Sequence, residues 1–100
     1  SPLVLAAVVR IATHIRYNNG CPSSLDEALN YCTALLAHPK TISILAGASH
    51  WATFENCSRA ANATGKLVAD AHHAALAMDH GCTWVSLDSD FAKFPGLKWR

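Results

Sequence analysis

One hundred residues, 51% hydrophobic and 15% charged, describe a single small globular domain over 1–100 and exclude a disordered chain. A formal net charge of +1 excludes nucleic-acid binding by bulk charge, since the eight Lys and Arg are scattered. The apolar run Leu3 to Val9 is too short for a membrane span and has no basic segment before it.

In chain order, Pro2 leads into a helix over Leu3 to about His14 that is apolar on nearly every side, so it calls for burial all round. Arg10 is its one charge before His14, which predicts a buried guanidinium facing an acid or a carbonyl. Tyr17-Asn-Asn-Gly20-Cys-Pro22 is a turn cluster. Ser24-Leu-Asp-Glu27 is a capping box, followed by Leu25, Ala28, Leu29, Cys32, Leu35 and Leu36 at helical spacing. Ala37-His-Pro-Lys40 ends that helix. Thr41 to Leu45 reads as a short strand, and Ser49 as the N-cap of a helix striped by Trp51, Phe54, Cys57 and Ala60. Asn62-Ala-Thr-Gly65 breaks it. The last long helix carries Leu67, Val68, Ala71, Ala74, Ala75 and Met78 on one face. Thr83 to Leu87 reads as a second strand, and Phe91 to Trp99 as a hydrophobic tail ending in an edge strand.

The order is α/β. Two strands are too few for a stable parallel sheet, and the uncovered first helix points the same way, so the chain reads as the back part of a longer protein. Residues 1–100 alone are then expected not to fold as a monomer.

The chemistry concentrates between Asp70 and Asp90. Asp70 falls in the first turn of its helix by this reading, at the border of the apolar face, where it reaches a cleft. From Asp70 to His80 the helix rises roughly 15 Å. From Thr83 to Asp88 a strand returns about 17 Å. Packed antiparallel, the two lengths cancel and bring Asp70 to Asp88 and Asp90 at the carboxyl end of a strand. Three carboxylates gathered there favour a divalent cation with oxygen ligands, Mg²⁺ or Mn²⁺. Each acid also has a plain structural role, Asp70 against the helix dipole and the other two in a turn. His72 and His73 point about 100° apart on a helix and read, with His80, as solvated surface residues. The four cysteines lack a C-x-x-C pair, which excludes a zinc framework; they read as reduced thiols, with Cys32 and Cys82 facing the core. Two glycosylation sequons, at Asn56 and Asn62, read as chance matches in the absence of a secretory signal.

The run Asp70-Ala-x-x-Ala-Ala-Leu-Ala-x-x-His-Gly81, with Asp88-x-Asp90-Phe-x-x-Phe-Pro-Gly-Leu97, resembles the C-terminal half of PIN-domain toxins of the VapC group. Leu5-Ala-Ala-Val-Val-Arg10-Ile-Ala-Thr-His14 resembles the buried helix of the same proteins. The resemblance runs over essentially the whole chain and is most specific from Gly65 to Trp99. It implies a three-layer PIN-like α/β fold around a central, mainly parallel sheet, here without its N-terminal strand and helix. It implies a bacterial cytoplasmic endoribonuclease that is metal-dependent, acts on RNA, is held by a cognate antitoxin protein and is commonly a homodimer. The family's later-helix acid matches Asp70, and its strand-end acid matches Asp88 with Asp90 beside it. The buried-helix glutamate of many relatives falls at Ala7, and the first-strand aspartate has no counterpart. Two readings follow: an active ribonuclease toxin, and a catalytically inactive PIN-like interaction module.

Overall fold

Local signals in the sequence set the helix ends. In the computed structural model, which describes residues 1–100, Ser24 and Glu27 form the reciprocal capping box: Glu27 N–H donates to Ser24 Oγ at 3.1 Å and Ser24 N–H to Glu27 Oε1 at 3.2 Å. This starts α2, Leu25–Ala37. α1 spans Pro2–Ala12, α3 spans His50–Ala60 and α4 spans Lys66–Asp79. Both α3 and α4 end in the same device. Asn62 (φ 48°) and Gly81 (φ 62°) take left-handed backbone. The next amides then donate back, Ala63 N–H to the Ser58 carbonyl and Cys82 N–H to the Ala77 carbonyl, both at 2.8 Å. This double-bonded stop is the Schellman arrangement, and it explains why Asn and Gly stand at those two positions. No helix is long and apolar enough to cross a membrane.

The chain divides into two compact units, Ser1–Leu45 and Ala46–Arg100. In the first, α1 packs against α2. Cys32, buried on α2, points its thiol at the Leu5 carbonyl at 3.8 Å. The expectation of a fully buried α1 is not met: none of its residues is buried, and Leu3 and Ile11 are each about half exposed. The reason is a shortage of partners, since α2 covers only one side of it within this unit. Arg10 is exposed, so it needs no buried counter-ion. His14 lies beyond the end of α1, in the turn.

In the second unit, α3 packs along α4. Ala71, Ala74 and Ala75 are fully buried, and their small side chains let neighbouring elements approach α4 closely. Cys57, Phe91 and Phe94 complete this core. Ser49 holds the N-cap position of α3, but its side chain makes no cap bond; Thr53 Oγ1 instead donates to its carbonyl at 3.2 Å.

The predicted strands are the main correction. Thr41 to Leu45 is irregular, with Ile42 85% exposed. The segment 83–87 forms only one parallel bridge, Trp84 to Trp99. Around it, Trp84 N–H donates to the Lys98 carbonyl at 2.7 Å and Arg100 N–H to the Trp84 carbonyl at 3.0 Å. The strand pattern itself survives, because exposure alternates from Thr83 to Asp88. What is missing is a partner on the other side, and a lone pair of strands is marginal without one. The central parallel sheet is therefore reduced to this single contact.

Candidate metal centre

α4 and one short turn bring the three predicted acids together. Asp70, Asp88 and Asp90 each offer a carboxylate oxygen, and these oxygens lie within 4.8 Å of one another. The convergence agrees with the expectation from sequence, but its construction differs. No sheet edge carries it. Asp70 is the fifth residue of α4, one turn deeper than expected, so it cannot act as a first-turn partner of the helix dipole. It is also buried, at 8% exposure, where the sequence pattern puts it at the border of the apolar face, reaching a cleft and not the core. The helix begins earlier than expected because Gly65 (φ 57°) already caps it, with Lys66 as the first helical residue.

Asp88 and Asp90 come from a 3-10 turn, Ser89–Lys93. Asp88 is its N-cap and accepts the Asp90 backbone N–H on Oδ1 at 2.9 Å. Phe91 and Phe94, both buried, anchor the turn into the core beside α4. The D-x-D-F-x-x-F pattern is thus a cap, an acid and two anchors in one segment.

The electrostatics follow from burial and crowding. Burial raises the Asp70 carboxyl above the ordinary aspartate range, Asp88 and Asp90 add to this, and Lys66 and Lys93 oppose it. The Asp90 amide holds Asp88 below that range, with Lys66 assisting. Asp70 Oδ2 is buried with no hydrogen-bond partner in the protein. An unpartnered buried carboxylate oxygen beside two more carboxylates is a donor set that fits a hard divalent cation.

Two lysines escape the reading of the sequence, in which the cations look merely scattered. Lys66 Nζ lies 3.4 Å from Asp88 Oδ2, and Lys93 Nζ lies 3.0 Å from Asp90 Oδ1. Spacing is a signal only for Lys93, three residues after Asp90; the partner of Lys66 lies 22 residues away.

The histidines also differ from expectation. Of the three on or beside α4, His72 and His73 are half-buried and His80 is exposed. His50 Nε2 lies 3.1 Å from His72 Nδ1, and the His73 ring stacks on Trp84 with centroids 5.1 Å apart. Burial lowers the pKa of both, with His50 adding to the effect at His72 and His72 at His73. They are packing residues between α3, α4 and the Trp84 segment. All four cysteines are free thiols; Cys32 and Cys57 are buried and Cys82 half-buried. Burial and then Asp79 raise the Cys57 thiol, which keeps it protonated and inert.

A family model described as PIN domain matches residues 1–97. VapC ribonuclease Mb2897 of Mycobacterium bovis is 38% identical over 97 residues, covering 97% of this chain and 65% of that protein. Ribonuclease VapC43 of Mycobacterium tuberculosis gives the same 38% over 97 residues, again 97% and 65%. Ribonuclease VapC31 of Mycobacterium tuberculosis is 36% identical over 96 residues, covering 96% of this chain and 67% of that protein. The chain thus spans 65–67% of the length of these curated relatives.

Proposed function

Because this chain belongs to the PIN domain family, we propose that its protein is an endoribonuclease toxin that hydrolyses RNA phosphodiester bonds with a carboxylate-held Mg²⁺ or Mn²⁺. The observation that carries this reading is the cluster of Asp70, Asp88 and Asp90, with oxygens within 4.8 Å and one of them buried and unpartnered. The names of the relatives, VapC ribonucleases, support RNA as the substrate.

Asp70, Asp88 and Asp90 would hold the cation and are the catalytic residues of this proposal. When bound, a divalent cation there supplies an acidified water and counter-charge for the phosphate. The protein's own contribution is rigidity and charge. Asp70 projects from the middle of a packed helix, while Asp88 fixes Asp90 through its backbone. The Asp90 amide favours the ionised form of Asp88. Burial makes Asp70 release its proton less readily than an ordinary aspartate, and a bound cation would favour that release.

The same proposal includes one PIN-like domain over 1–100, a central parallel sheet beyond the Trp84–Trp99 bridge, a cognate antitoxin as partner, a homodimer and a bacterial cytoplasmic location. Ala7, where the resemblance expects a glutamate, favours the second reading, a catalytically inactive module. One experiment separates them. The full-length protein is incubated with single-stranded RNA and Mn²⁺, with and without chelator. The toxin reading expects cleavage that chelation abolishes and that Asp70→Asn removes. Intact RNA under all conditions supports the inactive module.

A further inference from the structure

Lys66 and Lys93 approach the acid cluster from two different elements. Lys66 shares a face of α4 with Asp70, one turn away, yet its ammonium reaches across to Asp88. Lys93 closes the 3-10 turn that holds Asp90. Both side chains are open to solvent, 78% and 56% exposed. Exposed ion pairs of this kind are weak and exchange readily.

The charges then decide the behaviour. Three carboxylates outnumber two ammonium groups, so the cluster without a cation is negative and attracts both lysines. A bound divalent cation takes the three negative charges of the carboxylates down to one, so their pull on the two ammonium groups weakens and the lysines are freer to leave the carboxylates they held. An ammonium on a four-carbon stem is a flexible point charge suited to a phosphate oxygen.

We propose that Lys66 and Lys93 are exchangeable clasps: they hold Asp88 and Asp90 while the cation is absent, and turn to the RNA phosphates once it is bound. The inference rests on reading the three acids as a metal site. It accounts for how a chain of net charge +1 brings an anionic polymer to an acidic centre, with the counter-charge supplied locally.

The test compares the full-length wild type with Lys66→Met and Lys93→Met, which keep the stem and remove the charge. Arg59→Met is the control, since Arg59 is 81% exposed and paired with Glu55 on α3. Mn²⁺ binding is measured by calorimetry without RNA, and RNA cleavage is measured across a salt series. Each lysine variant is expected to bind Mn²⁺ about two- to fivefold tighter, the size of a competing surface pair removed. The KM for RNA is expected to rise about tenfold with kcat little changed. The salt slope of KM should flatten by about 0.7, as when a single strand has one phosphate fewer neutralised by the protein. Arg59→Met should match wild type in all three. Unchanged or weaker Mn²⁺ binding in the lysine variants overturns the proposal, and so does an unchanged salt slope. A wild type that neither binds Mn²⁺ nor cuts RNA overturns the acid-site reading itself, and the clasps with it.

Discussion

Asp88 Oδ1 accepts the Asp90 backbone N–H at 2.9 Å, so one acid of the cluster fixes the position of another. A single residue thereby caps a turn and contributes a carboxylate to the cluster. The two roles separate by substitution. Asp88→Asn keeps a good cap, because Asn and Asp cap about equally, and stability should change by only a few tenths of a kcal/mol. Asp88→Ala loses the cap, at a cost of about 1 kcal/mol. Both should abolish metal-dependent RNA cleavage. Thermal melts beside cleavage assays check this, and full activity in Asp88→Asn would remove Asp88 from the site.

Asp70→Asn should leave the metal-free protein as stable as wild type or more so, by about 0.5 kcal/mol, the scale of a relieved like-charge contact. RNA cleavage should fall at least about 100-fold, since the cation's stabilisation of the reaction is worth several kcal/mol. Urea unfolding in chelator and initial cleavage rates in Mn²⁺ measure the two halves. A large loss of stability would mean that Asp70 serves the fold.

The pH dependence has a definite sign. Burial raises the Asp70 carboxyl in the folded protein. The folded state therefore binds this proton more tightly than the unfolded chain, and metal-free stability from this group grows as pH falls through the folded value. Asp88, lowered by the Asp90 amide, acts oppositely: its contribution is present above the unfolded-state pKa and is lost as pH falls through its own lower value. Wild type should accordingly gain stability relative to Asp70→Asn between neutral pH and about pH 4, the ordinary aspartate range. Parallel stability curves in urea titrations over that interval would contradict it. Mn²⁺ affinity should weaken over the same descent, because the ligand must lose its proton.

Phe91 anchors the turn that carries both acids, and it is 4% exposed. Phe91→Ala should cost about 3–5 kcal/mol, much of a small domain's stability. Near-UV circular dichroism should lose its aromatic signal together with activity. A change under about 1 kcal/mol would show that the turn is held some other way.

The helices are legible because their signals are local. Ser24 and Glu27 make their cap bonds within three residues of each other, and Gly81 stops α4 by its own backbone geometry. Asp70, Asp88 and Asp90 converge because a helix and the chain returning from it have matching lengths. The strands are not legible to the same degree. Thr41 to Leu45 and Thr83 to Leu87 carry β-rich residues, but a strand exists only when another pairs with it, and one bridge is all that forms. His73 misleads for a related reason: polarity on a helical wheel does not reveal that Trp84 will stack on it. Lys66 is hidden because its partner, Asp88, lies 22 residues away.

We propose that Asp70, Asp88 and Asp90 form one divalent-cation site that cleaves RNA. Calorimetric titration of Mn²⁺ into the full-length wild type, Asp70→Asn and Asp88→Asn tests it most directly, with RNA cleavage followed in the same samples. Wild type should show a Mn²⁺ site that weakens at least about tenfold with either substitution, together with loss of cleavage. Undiminished Mn²⁺ binding and cleavage in either variant would contradict it.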